Sequence, residues 1–93
     1  MNQLQRYTFY CILLQEAEEN IIEDRYTGLC SLILQVSELD CYEINLYPSF
    51  CLKTQLPELY AFKKSKCYWW PTDKEGWQQR IKALKQCIKQ THP

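Results

Sequence analysis

From the N-terminus, Leu4, Tyr7, Cys11 and Leu14 recur at i, i+3, i+7 and i+10, and Tyr10, Ala17 and Ile21 widen the stripe. Gln15, Glu16, Glu18 and Glu19 between them are polar or charged. The pattern predicts an amphipathic helix from about residue 3 to about residue 20. A polar stretch, Glu23 to Arg25, ends it, and Thr27 is placed to cap a second helix. In that second helix Leu29, Cys30, Leu32, Ile33, Leu34, Val36 and Leu39 make most sides apolar. Such all-round hydrophobicity marks the most buried element, so it is expected at the centre of the fold.

Tyr42, Ile44 and Leu46 alternate as in a half-buried strand, yet one short strand without an evident partner is marginal, and a helical turn fits equally well. Pro48 closes the segment either way. In LPELYAF, residues 56 to 62, Pro57 suits the first helical position and Leu59, Tyr60 and Phe62 follow, predicting a short helix of about two turns. KKSK, residues 63 to 66, reads as an exposed basic loop. The last helix has a capping-box signature, Thr72 with Glu75 three residues on, preceded by Pro71. Trp77, Ile81, Leu84 and Ile88 then repeat at i, i+4, i+7 and i+11, with the stripe running to about Gln90. Helical rotation gathers Lys82, Lys85 and Lys89 on another flank, beside Gln78, Gln79, Gln86 and Gln90. The expected fold is therefore mostly α. It is one small domain over residues 1–93 with three to four helices, the form of residues 41–52 being either a short strand or irregular.

Composition supports a folded core: 46% of residues are apolar and 14% aromatic, too many for an intrinsically disordered chain. At 93 residues only one domain fits, and a chain this short gains from partners or self-association. The richest apolar window, Leu29 to Val36, is broken by Ser31 and Gln35, far short of the roughly 20 residues of a membrane span. The first twenty residues lack the sustained apolar run of a secretory signal, so a cytoplasmic location is expected. Cysteines 11, 30, 41, 51, 67 and 87 could form three disulfides in a secreted chain. Cys11, Cys30 and Cys87 sit within helical apolar patterns, however, where reduced thiols serve as small core side chains.

Charge divides the chain. Residues 1–52 carry Arg6 and Arg25 against eight acidic residues, a net −6, and residues 53–93 carry nine basic against three acidic residues, a net +6. The halves either cancel on packing, offer an anionic partner a positive surface, or associate between copies.

Candidate chemistry is sparse. The single histidine, His92, is next to the last residue, no serine has a nucleophile-elbow context, and no C-x-x-C occurs, so catalysis, metal and cofactors are not expected. Glu18/Glu19, Glu23/Asp24 and Glu38/Asp40 pair carboxylates only at polar helix ends, and Gly28 and Gly76 are isolated rather than part of a phosphate loop. Recognition remains. Lys53, Lys63, Lys64, Lys66, Lys82, Lys85 and Lys89, with Tyr68, Trp69 and Trp70, form the combination that binds phosphates by charge and bases by stacking. Adjacent tryptophans on an extended segment point to opposite sides, so one of Trp69 and Trp70 should plug the core beside Trp77 and the other face outward.

PEL at 57 to 59, YWWP at 68 to 71 and GWQQRIKALKQCI at 76 to 88, with Gly28, Leu29 and Cys30 upstream, resemble small accessory proteins encoded by tailed bacteriophages and prophages. The resemblance covers about half the chain and carries no catalytic residue. It implies a non-enzymatic protein acting in the host cytoplasm, where such proteins include anti-CRISPR and other defence inhibitors. These work by binding a host protein or by sequestering an anionic nucleotide signal. The basic and aromatic pattern, not the resemblance, makes Tyr68, Trp69, Trp70, Lys63, Lys64, Lys82, Lys85 and Lys89 the expected binding residues of a protein that also fits a homo-oligomer, with a nucleotide sponge and a nucleic-acid-associated or structural virion component as the alternatives.

Overall fold

The computed structural model describes residues 1–26, 28–40, 50–62 and 73–93, with side chains for all of these except 30, 38–40 and 50–52. They form five helices: α1 (Gln3–Ile22), α2 (Leu29–Asp40), α3 (Phe50–Gln55), α4 (Pro57–Tyr60) and α5 (Lys74–Thr91). The expected mostly α fold is found, with no strand among the described residues. The helix beyond the expected three to four is α3, and it is separated from α4 at Leu56. Pro57 disfavours helical torsions in the residue before it, and Leu56 accordingly sits at φ −132°, ψ 62°. Pro57 itself opens α4, where its missing N–H costs nothing. The expected two-turn helix is thus a single turn, followed by a turn in which Phe62 N–H donates to the Leu59 carbonyl at 3.0 Å. Residues 50–52, expected as strand or irregular, are helical; residues 41–49 lie outside the described residues.

Helix ends follow local chemistry. At the start of α1, Gln5 N–H donates to Asn2 Oδ1 at 2.8 Å and Asn2 N–H donates to Gln5 Oε1 at 2.9 Å, a reciprocal capping box. Its other end is a Schellman motif: Asp24 N–H donates to the Ile21 carbonyl at 3.1 Å and Arg25 N–H to the Asn20 carbonyl at 2.7 Å. Asp24 occupies the left-handed position, φ 54°, that glycine fills most easily. The expected termination at Glu23 to Arg25 therefore stands. For α5 the cap is Asp73, not Thr72: Asp73 Oδ1 accepts from Gly76 N–H at 2.8 Å. The shift puts Gly76 where the box would need Glu75, so the reciprocal half is missing. Thr72 and the Thr27 cap lie outside the described residues; the Gly28 carbonyl accepts from Leu32 N–H at 3.1 Å as α2 begins.

Among the described residues, α1 packs most extensively against α5 and then against α2, and α4 packs against α5. The α1–α5 pair thus makes the largest contact among the described residues, and α2 lies against α1. Leu29, Leu32, Ile33 and Val36 of α2 are buried, but Leu34 is 51% exposed, so the helix lies on the core with one side out. On α1 the buried row is Phe9, Tyr10, Leu13, Ala17 and Asn20. Of the expected stripe, Tyr10 and Ala17 are in the core, whereas Leu4 is exposed and Tyr7, Cys11, Leu14 and Ile21 are half-buried. The core takes the row that contains Phe9 and Leu13 and tolerates Asn20 within it. On α5 the buried row runs Trp77, Arg80, Leu84, Cys87 and Thr91, and the expected Ile81 and Ile88 lie half-buried at its edge. Cys87 is a free buried thiol and Cys11 a free half-buried one, as expected of reduced cysteines in helices.

Candidate binding face and the buried polar groups behind it

Because Trp77, Arg80, Leu84, Cys87 and Thr91 face inward, the opposite side of α5 presents Lys82, Lys85 and Lys89, all exposed. Lys82 and Lys85 line an open depression of about 430 Å³ together with Glu75, Gln78, Gln79 and Ile81. Lys89 follows one turn beyond Lys85 on the same side. Among the described residues none of the three lysines forms an ion pair. The face thus offers ammonium groups, carboxamides and one half-buried aliphatic side chain, with Glu75 setting a negative group at one end. Such a lining can hold carboxylates of an acidic protein surface while Ile81 takes an apolar contact. Tyr68, Trp69, Trp70, Lys63 and Lys64 lie outside the described residues, so the structure brings together only Lys82, Lys85 and Lys89 of the expected binding set.

Arg80 is the residue the sequence pattern concealed. It is 1% exposed, and its guanidinium carbon lies 4.1 Å from the centroid of the buried Trp77 ring. A planar, weakly hydrated cation on an indole face is the form in which arginine enters a core most readily. The available signal was the Trp77–Arg80 spacing of three residues, which continues through Leu84, Cys87 and Thr91. Trp77 is in the core as expected; its Nε1 has no hydrogen-bond partner among the described residues. The Trp69/Trp70 division lies outside them.

On the other side of the α1–α5 pair, α1 is clasped to α4 by polar side chains. Arg6 Nε donates to Glu58 Oε1 at 2.9 Å, Arg6 Nη2 to Glu58 Oε2 at 3.3 Å, and Arg6 Nη1 to the Met1 carbonyl at 3.0 Å. Tyr10 Oη donates to Glu58 Oε1 at 3.0 Å and accepts from Leu59 N–H at 3.3 Å. That N–H belongs to the first turn of α4, where helix geometry supplies no backbone acceptor. Burial, then the nearby Cys87 and Glu58, hold the Tyr10 phenol above its ordinary range. Burial first, then Glu58, push the Cys87 thiol up to about 12. Cys87 is thus a neutral core side chain at physiological pH rather than a thiolate nucleophile. His92 packs edge-on against Tyr7, ring centroids 5.3 Å apart.

Among the described residues no cluster of three or more metal-ligating side chains occurs, and no helix is long and apolar enough to cross a membrane. Comparison with protein-family models, with curated proteins and with solved structures found no match to this chain.

Proposed function

We propose that the chain is a non-enzymatic binding protein that docks an acidic partner protein on the outer face of α5. The observation that carries this reading is the set of three exposed lysines on one side of a helix whose other side is fixed in the core by Trp77, Leu84 and Cys87. A rigid helix presents its charges without the ordering cost that loop lysines incur. The mixed lining, with a carboxylate and an isoleucine beside two lysines, suits a protein surface better than a polyphosphate, which Glu75 would repel. The phage resemblance makes the partner a bacterial host protein, with inhibition of a defence function as the consequence of capture.

The test is charge reversal. Lys82→Glu, Lys85→Glu and Lys89→Glu together should abolish capture of the host partner by tagged protein, with the helical circular dichroism unchanged. Retained capture by that folded variant removes α5 as the surface. Calorimetric titration with cyclic and linear nucleotides separates the nucleotide-sponge alternative, because a protein-docking face gives no heat with any of them.

A further inference from the structure

The core row of α1 leaves a second row at its margin. Leu4, Tyr7, Cys11, Leu14, Glu18 and Ile21 follow one another at alternating spacings of three and four residues, the interval of a seam that meets another helix. None of the six is buried: Leu4 is 59% exposed, Glu18 is exposed and the others are half-buried, while Ile22 beside them is 81% exposed. We infer that this row is the contact surface of a homodimer in which the α1 helices of two copies lie antiparallel.

Register and charge select that occupant. A parallel pair would set Glu18 against Glu18 and gather both copies' Glu16, Glu19 and Glu23 at one end. The antiparallel pair, centred between Cys11 and Leu14, sets Leu4 against Ile21 of the second copy, Tyr7 against Glu18 and Cys11 against Leu14. Apolar side chains then meet apolar ones, and the only carboxylate in the row meets the only phenol, a donor for it. The exposed Glu18 and Glu19 near the C-terminal end of α1 would meet their own copies in a parallel pair and are kept apart in the antiparallel one, while Glu23 is paired with Arg25 at 2.8 Å. The interface uses the same row on both copies, so it closes at two chains and does not propagate into filaments.

The row covers little more than two heptads, so association is concentration-dependent, with a dissociation constant on the order of 10 μM. Sedimentation velocity across that range should show the mass move from one chain to two. Leu4→Glu changes an exposed side chain, so its helical circular dichroism should be unchanged while association weakens at least tenfold. Mild oxidation of a mixture of Leu4→Cys and Ile21→Cys proteins should yield a peptide linked between positions 4 and 21, read by mass spectrometry. A one-chain mass throughout, equal association of Leu4→Glu, or linkage of Leu4→Cys only to itself overturns the proposal. Lys82, Lys85 and Lys89, on the outer side of α5, lie outside the seam, so loss of the dimer and loss of the α5 docking face are separate outcomes.

Discussion

Tyr10→Phe isolates one hydroxyl and leaves the buried ring in place. In the native fold that hydroxyl donates to a carboxylate, Glu58 Oε1 at 3.0 Å, and accepts from Leu59 N–H at 3.3 Å. A hydrogen bond to a charged group contributes about 1.5–3 kcal/mol, and a buried N–H left without a partner costs about 1–3 kcal/mol. The two terms do not simply add. Glu58 keeps Arg6 at 2.9 Å, and with side-chain exposures of 20% and 17% for Arg6 and Glu58, water can replace part of the lost donor. The Leu59 N–H bond, at 3.3 Å, is slightly longer than the usual range, which lowers its share. A net loss of about 2 kcal/mol follows, equivalent to a Tm lower by roughly 8–16 °C for a chain of this size. Urea unfolding monitored at 222 nm measures it directly, and an unchanged m-value confirms that the loss is in the native contacts. A double-mutant cycle with Glu58→Ala should show coupling of at least about 0.5 kcal/mol, because both changes remove the bond from Tyr10 Oη to Glu58 Oε1. A Tyr10→Phe variant within about 0.5 kcal/mol of the parent, or additive effects in the cycle, would refute the clasp as a contributor to stability.

Asp24→Gly should stabilise the fold by about 0.5–1 kcal/mol, because glycine holds the left-handed C′ position of α1 without the Cβ penalty. The gain is reduced by loss of the bond from Tyr26 Oη to Asp24 Oδ1 at 3.1 Å, and equal or lower stability in urea would count against the Schellman reading. Alkaline stability follows from Cys87 and Tyr10. Both groups are raised in the fold, so their contribution is complete below the unfolded values of 9.0 and 10.0 and is lost as pH rises beyond them. The unfolding free energy should decline from pH 9.0 for Cys87 and from pH 10.0 for Tyr10, by up to about 1.4 kcal/mol per pH unit for each group. Cys87→Ala should delay the onset by about one pH unit, and an identical profile in that variant would remove the thiol from the account.

The sequence told most where an element is fixed by its own neighbours. Pro57 at the first position of α4 and the polar end of α1 at Glu23 to Arg25 depend on local torsions and local hydrogen bonds, and both were readable. The caps show how narrow that reading is. The box at Asn2 and Gln5 uses the same chemistry sought at Thr72 and Glu75, yet Asp73 stands one residue nearer α5 and takes the cap. Two acceptable capping side chains in succession leave the choice to the helix that must follow, and only packing decides it.

Helix rotation was less legible for a related reason. Both α1 and α5 offer two rows at three- and four-residue spacing, and the regular recurrence of apolar residues from Leu4 in α1 and from Trp77 through Ile81 and Ile88 in α5 favours one of them. The core instead takes the rows that contain Asn20 and Arg80, because Phe9 and Leu13 on one side, and Trp77, Leu84 and Cys87 on the other, fill the space between the two helices. Arg80 enters that space with its charge over the Trp77 ring, so a residue counted in the net positive charge of the C-terminal half belongs to the core. The consequence is directional. Moving Arg80 inward leaves the solvent side of α5 to Lys82, Lys85 and Lys89, and moving Phe9 and Leu13 inward leaves Leu4, Tyr7, Cys11, Leu14 and Ile21 at the margin of α1. The α5 lysine face and the α1 seam are thus separate results of how two helices chose their buried rows, and each can be disabled without disturbing the other.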